Sequence, residues 1–174
     1  MVPNSLGPGE LLVKYGTEGQ KEQYLSKLSD GSLVPCFGLT GPNNGSDALG
    51  EIDTGVIFKN KNNELSIRVK INKRYITLAP VADLIGLAIN VMDPDNLLPS
   101  DVKPGVTVAL LERGHPNLRQ ETYHNPLNVG FPNGTLKGTF RFELDNIIGG
   151  ESNAGNGWKM LMECLAAGRA ISLP

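Results

Sequence analysis

Apolar positions along the chain change period twice, and each change marks a different kind of element. Up to about residue 30 they recur at helical spacing. Pro8 to Lys14 predicts a short helix ended by Gly16, and Thr17 with Gln20 forms a capping box for a second helix. Tyr24, Leu25 and Leu28 make the apolar stripe of that helix, and Asp30-Gly31 closes it. From Leu33 to Leu144 the period falls to two. The predicted strands are Leu33 to Leu39, Thr54 to Lys59, Leu65 to Ile71, Arg74 to Leu78, Leu84 to Val91, Val106 to Leu111, Leu118 to Tyr123 and Leu136 to Leu144. Alternation is clearest in Ile67-Arg-Val-Lys-Ile71 and in Gly138-Thr-Phe-Arg-Phe-Glu-Leu144. Asn60 to Asn63 reads as a hairpin tip, Asn133-Gly134 as a turn, and Asp93 to Gly105 as a polar surface loop. Beyond Gly149-Gly150 the helical period returns, with Trp158, Leu161, Met162, Leu165 and Ala166 as one apolar stripe. About eight short strands with short helices at both ends predict a mainly β fold, a small orthogonal barrel or sandwich.

Composition agrees with that pattern and narrows the partners. A chain of 174 residues, 40% hydrophobic and 20% charged, is long enough for one domain with a real core. Its 21 glycines and 12 prolines favour turn-rich β structure over a helical bundle. A formal net charge of −2 supplies no electrostatic footprint for nucleic acid. Cys36 and Cys164 lie far apart in apolar surroundings, which argues against a disulfide framework and for a reducing compartment. No run approaches the roughly 18 apolar residues of a membrane helix. No basic stretch followed by an apolar core stands at the N-terminus. A cytoplasmic location is expected, with a membrane-peripheral parent enzyme left open.

Two segments carry the chemistry. Cys36-Phe-Gly-Leu-Thr-Gly-Pro-Asn-Asn-Gly-Ser-Asp47 runs from a short apolar strand into a turn that leaves N–H groups and hydroxyls free for a polar ligand. In Asn72-Lys-Arg-Tyr-Ile-Thr77, an extended strand would put Tyr75 and Thr77 on one face, an aromatic wall beside a donor hydroxyl. In this order and spacing the pair resembles the acyl-CoA dehydrogenase family, with its T-x-P-x-x-G-S-D loop and its G-x-K-x-W-I-T strand. Upstream, Tyr15-Gly-Thr-Glu-Gly-Gln-Lys-Glu-Gln-Tyr-Leu25 resembles the family's G-T-x-x-Q-K-x-x-Y-L helix. Downstream, Gly157-Trp-Lys-Met-Leu-Met162 and Arg169 resemble the start of its C-terminal helical domain. The wording Lys73-Arg-Tyr-Ile-Thr-Leu-Ala-Pro80 and Ile147-Ile-Gly-Gly150 is similar to the large bacterial branch of fatty-acid β-oxidation.

The resemblance implies a domain plan: 1–31 as the tail of an N-terminal helical domain, 32–148 as a middle β-domain, and 149–174 as the start of a C-terminal helical domain. It implies FAD as cofactor and oxidation of fatty acyl-CoA to trans-2-enoyl-CoA. Electrons would pass to an electron-transfer flavoprotein or a quinone route, in a parent enzyme that is a homo-oligomer. Phe37, Leu39 and Thr40 would line the flavin ring, Gly45 would let the main chain approach the ligand, and Ser46 would bond the cofactor pyrophosphate or the acyl-CoA pantetheine. Tyr75 stands where the family usually has Trp, Thr77 would donate to the flavin, and Arg169 would reach FAD phosphate across a subunit boundary.

Two departures accompany the match. Gly41 replaces the acidic residue that usually follows the loop threonine. The proton-abstracting carboxylate lies, in most of the family, beyond the segment that this chain covers. In a minority it sits just before the helix arginine, a position that is Gly168 here. The isolated chain is therefore expected to be inactive.

Several residues read plainly. His115 and His124 have no third ligand at suitable spacing, so no metal is expected. Cys36 and Cys164 read as buried small hydrophobes, Asp47 as a turn cap, Glu51 and Asp53 as a solvated hairpin, and Arg141 with Glu143 as a solvated strand face. The alternatives are a stand-alone module that holds flavin or acyl-CoA without chemistry, and a DNA-binding relative, which the net charge of −2 disfavours.

Overall fold

The computed structural model describes residues 7–48 and 50–172, with the side chains of 122, 123 and 167–172 left out. Helix α1 (Gly7–Tyr15) and helix α2 (Glu18–Ser29) form the entry. Thr17 and Gln20 make the expected capping box, satisfying donors at the start of α2 that have no partner within the helix. Gly31, at φ 81°, follows its C-cap Asp30.

Seven strands follow: β1 (Pro35–Gly38), β2 (Thr54–Lys59), β3 (Leu65–Thr77), β4 (Leu84–Met92), β5 (Val106–Glu112), β6 (Arg119–Tyr123) and β7 (Asn133–Glu143). They join one curled sheet in the order β1-β4-β2-β3-β7-β6, with β5 on the other edge of β4. β1 and β2 run parallel to β4 and share its length, at Leu84–Leu87 and Asn90–Met92 respectively. β3 and β7 are the long antiparallel pair. Helix α3 (Gly157–Ser172) closes the chain. Mainly β structure with helical flanks is what the sequence pattern predicts.

β4 explains where the core sits. Its run Leu84-Ile-Gly-Leu-Ala-Ile89 is buried on both faces, so it does not alternate. Ile85, Leu87 and Ile89 face one cluster with Ile57, Ile67, Val69, Phe140 and Phe142. Leu84 and Ala88 face a second cluster with Leu11, Leu12, Val108, Leu110, Ile148, Met160, Leu161 and Cys164. The entry and exit helices therefore pack on the back of the sheet and support β1 and β4.

Three expectations are corrected. The predicted strands 65–71 and 74–78 are one strand, because the polar stretch at Asn72 and Lys73 stays paired with Lys137 and Leu136 of β7. One extra residue between Lys73 and Ile76 is absorbed as a bulge. Asn133-Gly134 is not a turn but the start of β7, paired with Thr77 and Ile76. The expected single stripe on α3 divides: Leu161 is buried with Met160 and Cys164, whereas Trp158 and Met162 are 39% and 37% exposed.

Candidate functional site

β1 carries Phe37 to the rim of the sheet, and the chain then leaves the strand through Leu39 and Thr40. The bulged end of β3 lies alongside. A cleft of about 120 Å³ opens between them, lined by Phe37, Leu39, Thr40, Tyr75, Ile76 and Thr77, with Leu165 of α3 at its side. Five of the residues singled out in the sequence thus meet at one place. Gly45 and Ser46 do not line it; they stand exposed at the loop tip, and no atom lies within 4 Å of the position a Gly45 Cβ would take. Arg169 falls in α3, but its side chain lies outside the described residues.

Tyr75 reaches the cleft by a route that an extended strand does not provide. It takes φ 61°, the left-handed region, inside the bulge. The residue is 56% exposed, with its ring 4.9 Å from the His124 ring and 5.1 Å from the Arg74 guanidinium. His124 sits just after β6, where its N–H donates to Asn133 O at 2.7 Å. The His124 Nε2 is buried and has no hydrogen-bond partner among the described residues. A polar ring atom without a partner beside an exposed aromatic face was not legible in the sequence, which places His124 only near a strand end.

The loop is held from behind by β3. Arg74 N–H donates to Thr40 O at 3.0 Å, and its Nη2 donates to Pro42 O at 3.0 Å. Asn44 Nδ2 donates to Leu39 O at 3.1 Å, and Gly41 N–H donates to Asn44 O at 3.3 Å. A Cβ on Gly41 would meet Asn44 Oδ1 at 2.7 Å and Asn72 O at 3.2 Å. A side chain at position 41 would therefore force Asn44 to shift and crowd the Asn72 carbonyl.

Asp53 is a further correction: it is no solvated hairpin residue. Its Oδ2 lies 2.9 Å from the buried Lys73 Nζ in an ion pair, and its Oδ1 accepts from Asn72 N–H at 3.2 Å. Glu51 is exposed and accepts a hydrogen bond from Asn43. Cys36 and Cys164 are buried, and burial pushes both thiols up to about 12. His115 Nδ1 lies 3.2 Å from Pro116 O, with its ring against Phe140. Among the described residues no group of three His, Cys, Asp or Glu converges on a metal-sized site. No helix among them is long and apolar enough to cross a membrane.

The cleft suits the edge of a flat heteroaromatic ring: two aromatic side chains, three aliphatic ones, and the hydroxyls of Thr40 and Thr77. At about 120 Å³ it falls below the roughly 300–1,000 Å³ of a site that encloses a ligand. The chain offers a wall, and among the described residues no carboxylate lines it.

No family model matches the chain. Among curated proteins it is 46% identical to Protein HemX of Proteus mirabilis over 88 residues, which is 50% of this chain and 52% of that protein. It is 29% identical to the short-chain-specific acyl-CoA dehydrogenase of Megasphaera elsdenii over 160 residues, 90% of this chain and 38% of that one. The solved structure of butyryl-CoA dehydrogenase from Megasphaera elsdenii superposes with a TM-score of 0.74 at 25% identity, covering 96% of this chain and 41% of that one. An acyl-CoA dehydrogenase complexed with FAD from Bacillus anthracis shares the fold, with a TM-score of 0.74 at 22% identity over 95% of this chain and 26% of that one. The chain thus spans about half the length of the first of these relatives and less than half of the others.

Proposed function

We infer that this chain, related to the acyl-CoA dehydrogenases in sequence and fold over most of its length, forms one wall of an FAD and acyl-thioester site in a larger dehydrogenase. The observation that carries this reading is the meeting of Phe37, Leu39 and Thr40 with Tyr75 and Thr77, two segments some thirty residues apart, at one cleft. When bound, FAD supplies the hydride-accepting chemistry. The chain's own residues bind and orient. Phe37 and Tyr75 offer aromatic faces, and Thr40 and Thr77 offer hydroxyls to the polar edge of the ring. The exposed loop tip at Gly45 and Ser46 lies free for the pyrophosphate or the pantetheine, and Arg169 serves FAD phosphate across a subunit boundary.

The reaction we assign to the parent enzyme is oxidation of a fatty acyl-CoA to the trans-2-enoyl-CoA, in the cytoplasm. Its electrons leave to an electron-transfer flavoprotein or a quinone route. Residues 1–31 and 149–174 belong in this reading to helical domains on either side, and the parent is a homo-oligomer. Abstraction of the α-proton needs a base within hydrogen-bond reach. Among the described residues no carboxylate lines the cleft, and in this reading the chain alone binds without reacting.

The native product, recovered from source cells with antibody to this chain, tests the reading. It should run well above 18.7 kDa, carry a flavin absorption band, and lose that band when acyl-CoA is added without oxygen. A product without flavin refutes the reading. An 18.7 kDa product that holds flavin but is not bleached would make the chain a stand-alone binding module.

A further inference from the structure

Lys73 occupies a core position. Along β3 the inward residues are Ile67, Val69, Ile71 and then Lys73, which is 0% exposed. An aliphatic side chain would continue that series; an ammonium group does not belong there on packing grounds. Burial lowers its pKa below the usual lysine value, against the opposing pull of Asp53. Asp53, the only carboxylate paired with it among the described residues, is 18% exposed. Buried ion pairs of this kind seldom stabilise a fold more than well-packed apolar residues would. Stability alone therefore does not account for Lys73.

Its remaining contact does. Lys73 Nζ donates to Leu39 O at 3.0 Å from the sheet side, joining Asn44 Nδ2, which donates to the same oxygen at 3.1 Å from within the loop. The C=O and N–H of a trans peptide point in opposite directions. Drawing the Leu39 carbonyl toward the ammonium aims the Thr40 N–H the other way, and Thr40 lines the cleft. The adjoining strand residue takes the next carbonyl, through Arg74 N–H to Thr40 O at 3.0 Å.

We propose that the Lys73–Asp53 ion pair positions the cofactor-facing loop, with Lys73 turning the Leu39 carbonyl inward so that the Thr40 N–H is presented to the ligand. The proposal rests on the FAD reading for what that ligand is. Lys73 acts through the Leu39–Thr40 peptide and is a positioning residue.

Lys73→Met keeps an unbranched side chain, one atom shorter, and removes the charge. In this chain, without ligand, amide hydrogen exchange at Gly41 and Arg74, whose N–H groups hold the loop, should speed up at least tenfold. The rest of the sheet should keep its protection, and the urea midpoint of the double variant Lys73→Met/Asp53→Leu, which leaves no charge unpaired, should stay the same or rise. FAD affinity, read from quenching of flavin fluorescence, should fall at least tenfold. Unchanged exchange at those two amides overturns the proposal, as does a loss of protection across the whole sheet together with a lower midpoint, which would make Lys73 an ordinary element of the fold. Should Lys73→Met fail to fold because Asp53 is left unpaired, the double variant Lys73→Met/Asp53→Leu removes both charges and decides by the same exchange readout. Absence of FAD binding by the wild-type chain would count against the FAD reading, while exchange would still decide the positioning role.

Discussion

Tyr75 holds a left-handed backbone, φ 61°, which costs a residue with a Cβ about 1–2 kcal/mol. Tyr75→Gly should therefore be more stable than Tyr75→Ala by about 1 kcal/mol, since both lack the ring and only the backbone strain differs. Strand interiors ordinarily show the reverse order, so equal stabilities, or Ala above Gly, would remove the strain from the account. The thiols make a second case. Desolvation raises Cys36 and Cys164 from 9.0 to about 12 in the folded state, so each contributes stability that is whole below pH 9 and lost as pH rises toward 12. Neither should react with a thiol reagent at pH 8 until urea unfolds the chain; rapid labelling of the native protein would show that they are not buried. At this scale the sequence was informative about residue type and uninformative about conformation. It showed an aromatic at position 75, but a bulge depends on the partner strand's register. Lys73 shares the inward parity of Ile67, Val69 and Ile71, but nothing in the sequence names Asp53 as the partner that makes a buried ammonium tolerable.

Gln20 ties the elements together. Its Nε2 donates to Asp145 O at 2.9 Å and Ile147 O at 2.8 Å, and its Oε1 accepts from Gly149 N–H at 3.0 Å and Thr17 N–H at 3.2 Å. One side chain caps α2 and fastens it to the segment leading into α3. Gln20→Ala should cost about 2–3 kcal/mol in urea unfolding, because buried carbonyls and an N–H lose their partners. Thr17→Ala, which removes only the cap, should cost about 1 kcal/mol. A Gln20 variant no worse than the Thr17 variant would mean that the tie to residues 145–149 is unimportant. The sequence showed the capping box because capping is local. It could not show the tie, which joins residues 125–129 positions apart. The same limit explains β3: the polar Asn72-Lys73-Arg74 step breaks the apolar period locally, and pairing with β7 overrides it.

For the molecule as a whole, the helices at either end belong to the second core, yet α3 leaves Trp158 and Met162 exposed beside the half-buried Leu165. Exposed apolar faces of this kind drive association. The chain should sediment as a concentration-dependent oligomer, and Trp158→Glu with Met162→Glu should shift it toward monomer; a wild-type monomer at all concentrations would contradict this. The mainly β architecture was legible from alternation and turn residues. The double burial of β4 was visible only as an unbroken apolar run, which leaves the neighbours on its two faces unspecified. What the cleft between the β1 loop and the β3 bulge must do, above all, is hold a flavin. The direct measurement is titration of FAD with this chain, followed by flavin fluorescence and visible absorption, alongside Tyr75→Ala and Thr77→Ala. Saturable quenching at one flavin per chain, weakened at least tenfold in either variant, is the predicted result. Binding that both variants leave unchanged, or no saturable binding at all, would contradict it.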